Sequence, residues 1–178
     1  LIKVEFKIED LERLKSAMVK LSVSAQDQAT NRMPKLGAIQ FRDRVADAIL
    51  SQKHVGSDWG YSEKYAKWKA AQGKDDGYWW LAGDLVSALS ISKLGNGWFS
   101  GVPAGIKDSG GKSYGEGKSR DIAWYGRIVE WGGVFPSPKG AQTHKPRPVF
   151  VPTLNEFAAI DWPRIGSQAL TELSKAWG

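Results

Sequence analysis

Cysteine is absent from this chain, so neither a disulfide framework nor a thiolate metal site can be built from it. Histidine is nearly absent too. His54 and His144 stand far apart in turn-like surroundings, and neither has a second metal ligand at helical spacing. No apolar run approaches the roughly 20 residues that cross a bilayer, so no membrane partner is expected. The first eight residues alternate apolar and charged side chains and lack the continuous apolar core of a secretory signal. Synthesis and assembly in a cytoplasm are therefore expected. Acids are missing from one long stretch, between Glu130 and Glu156, which carries Lys139, His144, Lys145 and Arg147 among four prolines before Val149.

Catalytic patterns are equally scarce. No Gly-x-Ser-x-Gly spacing stands between an apolar strand and a helix, as an elbow that exposes a nucleophile requires. Ser109-Gly110-Gly111-Lys112-Ser113 places glycines before Lys-Ser, as a phosphate loop does. That loop needs a glycine at position 106, where Ile106 stands, and a helix after it, where Tyr114-Gly115-Glu116-Gly117 offers none. The adjacent acids Glu9-Asp10 and Asp75-Asp76 sit in cap or turn contexts, where solvation explains them. The reading is a protein without catalytic residues and without a cofactor or metal.

Tryptophan is what the chain has in excess, with nine residues against two methionines. Indole rings bury a large area while keeping one polar N–H, which suits subunit contacts as well as cores. Net charge is +6, and the basic residues are spread along the chain without forming a stripe, which reads as a solvated basic surface. Residues 59–80 interleave Trp59, Tyr61, Tyr65, Trp68, Tyr78, Trp79 and Trp80 with lysines. Stacking of single-stranded nucleic acid on such a surface is the alternative functional reading.

Periodicity sets the elements. Ile2, Val4, Phe6 and Ile8 alternate as on a half-buried strand. Glu9-Asp10 cap a helix with Leu11, Leu14, Met18 and Leu21 at helical spacing. Residues 22–32 are polar and read as a continuation of that helix or as a joint. Pro34 suits the first turn of the next helix, whose stripe is Leu36, Ile39, Ala46, Ile49 and Leu50. Ser62 to Gln72 read as a short lysine-rich helix, and Asp84 caps another through Leu89. The Leu94-Gly95-Asn96-Gly97 run signals a hairpin. Residues 122–131 form a short apolar element ending at Gly132-Gly133, Val149 to Val151 a short strand, and Leu154 to Trp177 a last helical region interrupted or begun at Pro163. The sum is an α+β domain over 1–178: a mostly antiparallel sheet of a few strands packed by N-terminal helices and a C-terminal helix. Long loops are expected at about 55–80, 105–119 and 133–147.

Glu130 stands out, because it lies between Val129 and Trp131 in an apolar segment. If buried it needs a compensating partner, for which Arg127 and Arg147 are candidates; an exposed place on the outer face is the other reading.

Three segments in this order resemble the tail-completion and neck proteins of tailed bacteriophages, also called virion morphogenesis proteins. Tyr65-Ala66-Lys67, followed by Leu81-Ala82-Gly83-Asp84-Leu85, is similar to that family's tyrosine-lysine segment and Leu-Thr-Gly-x-Leu motif. Tyr125-Gly126-Arg127-Ile128-Val129-Glu130-Trp131-Gly132 resembles Tyr-Ala-x-x-Val-Glu-Phe-Gly. Arg147-Pro148-Val149-Phe150-Val151-Pro152 resembles Arg-Pro-Phe-Leu-x-Pro with one residue inserted. Ala82, Gly126 and Trp131 replace the usual threonine, alanine and phenylalanine. The resemblance covers roughly residues 60–155, about half the chain. It implies a structural virion protein of the neck that forms a homo-oligomeric ring, a hexamer, as tail terminator or tail-completion protein. Its partners would be the tail-tube protein and the head connector or stopper, with DNA passing through the channel. Under that resemblance Tyr125, Glu130, Trp131 and Gly132 make the intra-domain or ring contact, and Arg147, Pro148 and Phe150 anchor the loop base. Lys139, His144 and Lys145 would face an acidic partner or DNA.

Overall fold

The structure, a computed structural model, describes residues 8–54, 63, 67, 71, 82–107, 121–135 and 140–177. Its elements are α1 (Ile8–Asp27), a π-helical turn (Gln28–Arg32), α2 (Met33–Leu50), α3 (Ala82–Ala88), β1 (Ser90–Leu94), β2 (Gly97–Gly101), α4 (Ile122–Trp131), β3 (Gly133–Phe135), β4 (Gln142–His144) and α5 (Phe150–Trp177). The α+β class holds, with helices at both ends of the described residues. The described strands form two separate antiparallel pairs, β1 with β2 and β3 with β4. The strand expected at the N-terminus falls on residues 1–7, outside the described residues, and Ile8 already belongs to α1. Glu9 and Asp10 thus occupy the first turn of α1, where acids favour the helix dipole.

Residues 22–32 continue the helix. The Met33 N–H reaches back five residues to the Gln28 carbonyl, which widens one turn just before Pro34. Proline has no N–H to donate and its ring crowds the carbonyl four residues back, so a locally widened turn lets the helical path pass through. Pro34 lies in the first turn of α2, as its position suggested, but α1 and α2 follow one another without a break.

The buried face of α2 differs from the stripe of large residues. Gly37, Ala38, Val45, Ala48 and Ile49 are buried, while Leu36 and Leu50 are exposed. Small residues win because α5 lies close against α2. A Cβ on Gly37 would stand 2.5 Å from Cζ3 of Trp162, so only glycine admits that approach. The two helices run antiparallel: Gln28 meets Glu172, Gly37 meets Trp162, and Phe41 meets Phe157 edge-on with ring centroids 5.7 Å apart. On α5 the buried residues Thr153, Phe157, Asp161, Ile165 and Ala169 recur every four positions. Each residue turns the helix by about 100°. Steps of four therefore make the buried stripe wind slowly round α5, as a helix crossing its partner at an angle requires.

The core gathers Val45, Ala48, Ile49, Leu85, Ala88, Leu89, Ile122 and Val149, with Phe41, Val129 and Phe150 packed on it. It joins the C-terminal end of α2, both short helices and the entry to α5. Burial of each large aliphatic side chain here contributes about 1.5–3 kcal/mol. The β1–β2 hairpin lies on α2, with Lys35 Nζ 5.5 Å from the Trp98 ring centroid. Its turn is Gly95-Asn96, with Leu94 paired to Gly97 and Gly95 at φ +57°. A positive φ at the first central residue is the pattern of a II′ hairpin turn and calls for glycine. The helix expected to follow Asp84 starts earlier, at Ala82. Within Ser62–Gln72, Glu63, Lys67 and Ala71 are helical, and Lys67 donates to Glu63 at 2.5 Å; the aromatic residues of 59–80 lie outside the described residues.

Candidate assembly site

Helix α4 is built around an aspartate. Asp121 adopts an extended backbone, and its carboxylate accepts from the N–H groups of Ala123 (2.9 Å) and Trp124 (3.3 Å). Its second oxygen accepts from the Gly105 N–H at 2.7 Å, and Ile122 N–H donates to the Ile106 carbonyl at 2.9 Å. The two ends of the glycine-rich excursion are thereby held together at their base, with Lys107 and Asp121 bridged antiparallel. An aspartate immediately before an apolar run is a helix-start signal present in the sequence itself.

Along α4 the buried positions are Ile122, Gly126 and Glu130, spaced four apart and facing the core. A Cβ on Gly126 would lie 3.5 Å from Leu85, an ordinary contact, so the alanine usual in the resembling motif would fit there. On the other side Trp124 is exposed and Trp131 is 68% exposed. Gly132 ends the helix: its φ is +69°, a conformation glycine takes without strain, and its N–H closes on the Ile128 carbonyl at 2.7 Å. The β3–β4 pair follows, with Val134 exposed, Gly133 opposite His144 and Phe135 opposite Gln142. It returns to α4 where the Arg147 N–H donates to the Val129 carbonyl at 2.6 Å.

Glu130 is buried, at 5% exposure, and its partners are backbone amides, so the cationic pairing anticipated for it is not what compensates it. Oε2 accepts from Val149 N–H at 2.7 Å and from Phe150 N–H at 2.9 Å, and Oε1 accepts from Val151 N–H at 2.8 Å. These are the first donors of α5, which have no partner within their own helix. The next position is Pro152, which has no N–H, and Thr153 N–H then makes the first intrahelical bond, to the Val149 carbonyl at 3.2 Å. Every donor of the helix start is thus accounted for. A carboxylate at a helix N-terminus also meets the positive end of the dipole. This corrects the strand expected at Val149 to Val151. Val149 caps α5 and Phe150 begins it, because Glu130 supplies the acceptor that lets a helix start between two prolines. Helix α5 then runs unbroken past Pro163, which faces solvent.

Of the residues singled out from sequence, Glu130, Gly132, Pro148 and Phe150 converge here; Phe150 packs on the core, and Arg147 enters through its backbone. Trp131 projects outward beside them and Lys145 is exposed. Tyr125 is placed on α4 and His144 on β4 by their backbones, and Lys139 lies outside the described residues. A second buried polar group centres on α5. Asp161, 4% exposed at its side chain, is ion-paired with Arg44 of α2 and held by Arg164 at 3.0 Å. Beside it Glu156 pairs with Lys53, and Arg44 stands 3.6 Å from it. His54 Nε2 lies 3.2 Å from the buried Thr153 hydroxyl. Apart from Arg164, three residues on from Asp161, their partners stand about a hundred positions away, so no local pattern marks these residues.

Three exposed or partly exposed carboxyls are held below their ordinary range. The Lys53 hydrogen bond lowers Glu156, helped by the charges of Lys53, His54 and Arg44. The Gly105 N–H lowers Asp121, with Trp124 and Ala123 N–H and the Lys107 charge. Asn31 and then Arg32 lower Asp27. A depressed folded pKa gives stability that is complete above the unfolded value, near 4, and is lost as pH falls through the folded value. Denaturant midpoints measured from pH 7 to pH 3 should therefore hold steady on account of these groups until about pH 4 and fall below it. A midpoint unchanged at pH 3 would mean that these contacts do not act on stability.

Among the described residues no group of three or more histidine, cysteine, aspartate or glutamate side chains is gathered as a metal site, and no helix is long and apolar enough to cross a membrane. Comparison with known protein families, with curated proteins and with solved structures finds no match to this chain.

Proposed function

We propose that this chain is a structural protein of a tailed-phage neck, a tail-completion or tail-terminator subunit that assembles into a ring. The observation that carries the reading is the Glu130 clamp. The two most specific segments of the resemblance, 125–132 and 147–152, are far enough apart in sequence to have nothing to do with each other. Here they meet through one carboxylate and three amides, with a β-hairpin held out between them. A shared physical purpose for the two motifs is what a common architecture with that family would require.

Exposed Trp131 and Val134 sit on the same unit, next to the hairpin. Tryptophan is a residue on which interfaces concentrate their binding energy. The ring would be a hexamer in the virion, facing the tail tube on one side and the head connector on the other, with DNA passing through its channel and Lys145 near the hairpin base. No catalytic role belongs to this reading.

The test is the mass of the purified protein in solution, with electron-microscope imaging of the same sample, alone and with a tail-tube or connector protein. Closed rings in either sample support the proposal. A monomer in both samples that binds single-stranded DNA with an affinity falling steeply with salt would replace it with the nucleic-acid reading.

A further inference from the structure

Helix α4 turns one face to the core and another to solvent. Ile122, Gly126 and Glu130 are buried. At about 100° per residue, Trp124, Arg127 and Trp131 fall within about 60° of arc on the opposite side. All three are exposed, Trp131 the most. The chain returning from the β3–β4 pair runs past the last turn of this helix and is tied to it twice. Gly133 lies opposite His144, and the Arg147 N–H donates to the Val129 carbonyl. Lys145 stands between the two ties and is exposed. Val134, 65% exposed, and Thr143 opposite it continue the surface. This face therefore joins two exposed apolar side chains, Trp131 and Val134, to two exposed cations, Arg127 and Lys145.

No acid offsets those cations on this unit. Over residues 121–135 and 140–155 the acids are Asp121 and Glu130. Asp121 stands at the other end of α4, held by the amides of Gly105, Ala123 and Trp124, and Glu130 is buried against the start of α5. The adjoining segments bring no acidic excess in their composition: 136–139 hold Lys139 and no acid, and 108–120 hold three cations against two acids. The carboxyl end of α4 contributes only about half a negative charge. The complement of this face is thus acidic and apolar. A second copy does not supply it. Face against face would set cation on cation, which like-charge repulsion disfavours. On α1, α2 and α5 each acid has a lysine or arginine bonded to it or within four positions. A nucleic-acid strand fits less well. Two cations meet only a couple of phosphates, and Val134 offers no ring for a base to stack on.

We propose that the outer face of α4 and the β3–β4 pair docks an acidic, apolar segment of a different protein, with carboxylates on Arg127 and Lys145 and apolar side chains on Trp131 and Val134. A guanidinium can give one carboxylate two parallel N–H bonds, and tryptophan and arginine are residues in which interface energy concentrates. This rests on the ring reading above and assigns the face to the head connector or tail tube stacked on the ring, and not to the neighbouring subunit.

The probe is a fluorescein-labelled peptide of four Glu-Glu-Leu repeats, followed by anisotropy. Beside it are peptides of four Glu-Glu-Ser and four Lys-Lys-Leu repeats and a short thymidylate strand. The full chain should bind the Glu-Glu-Leu peptide, more weakly as salt rises, several-fold more weakly with serine in place of leucine, and should not bind the lysine peptide. Arg127→Glu with Lys145→Glu should weaken binding about tenfold, and Trp131→Ala several-fold. Melting temperatures should stay unchanged, because all three side chains are exposed. No binding by the parent, or equal binding by the charge-reversed variant, would overturn the proposal. Tighter binding of the thymidylate strand, lost in the same variant, would overturn it in favour of nucleic acid. The charge-reversed variant should form rings as the parent does and fail to recruit the connector and tail-tube proteins. Loss of the rings themselves would place this face between subunits, removing the docking and leaving the ring reading standing. A parent that forms no rings yet binds the peptide through this face would keep the docking and remove the ring.

Discussion

Replacing Glu130 with alanine should destabilise the protein by about 3–5 kcal/mol, as read from denaturant titration. The carboxylate is buried, and it is the acceptor for the N–H groups of Val149, Phe150 and Val151. Its removal leaves three donors without a partner, that of Val149 buried and those of Phe150 and Val151 partly buried, and opens a cavity where the side chain stood. A buried donor left unsatisfied costs about 1–3 kcal/mol, and the lost charge at the helix N-terminus adds up to about 2 kcal/mol. The contributions overlap, since one side chain serves all three amides, and the expected total is below their sum. At about 2–4 °C per kcal/mol for a chain of this size, the melting temperature should fall by about 10 °C. Glu130→Gln keeps one acceptor oxygen and should lose about half as much. Equal stability of the alanine variant and the parent, within about 0.5 kcal/mol, would show that the clamp does not hold the start of α5.

The second large effect is expected at Asp161. Arg44→Met removes the cation from a carboxylate that is 4% exposed at its side chain. Breaking a buried pair by taking one partner commonly costs about 3–5 kcal/mol, because the remaining charge is stranded. Arg164 remains at 3.0 Å, but it is 60% exposed and works from the rim, so a loss of about 2–4 kcal/mol is expected. The informative comparison is the double variant Arg44→Met with Asp161→Leu. Both members of the pair are then gone, no buried charge is stranded, and most of the stability should return. A double variant at least as unstable as the single one would mean that the pair holds the helices by geometry that apolar packing cannot replace.

Sequence and structure divide the work unevenly in this chain. Where a single element buries one face, spacing along the chain reveals it. The apolar run of 122–131, its end at Gly132-Gly133 and the Gly95-Asn96 turn are local devices, set by side chains next to each other, and they were legible. A chain without cysteine can build neither a disulfide nor a thiolate metal site, whatever its fold. Other features depend on a partner distant in sequence. The run Val149 to Val151 has strand-like composition, yet it becomes helix because Glu130, about 20 positions earlier, accepts its amides. The stripe on α2 shifts from Leu36 and Leu50 to Gly37, Ala38 and Val45 because Trp162 and Phe157 of α5 press on that side.

What the sequence determined by itself is therefore the α+β class of the protein, one of its hairpins, and a basic, tryptophan-rich composition. Only the tertiary structure decided which residues bear the load. It buried Glu130 and gave it amides for partners, set Asp161 against Arg44, and left Trp131 exposed. The physical reason is the same each time. Backbone preferences act over a few residues, whereas the energy of a buried charge or an exposed apolar face depends on what another element places beside it.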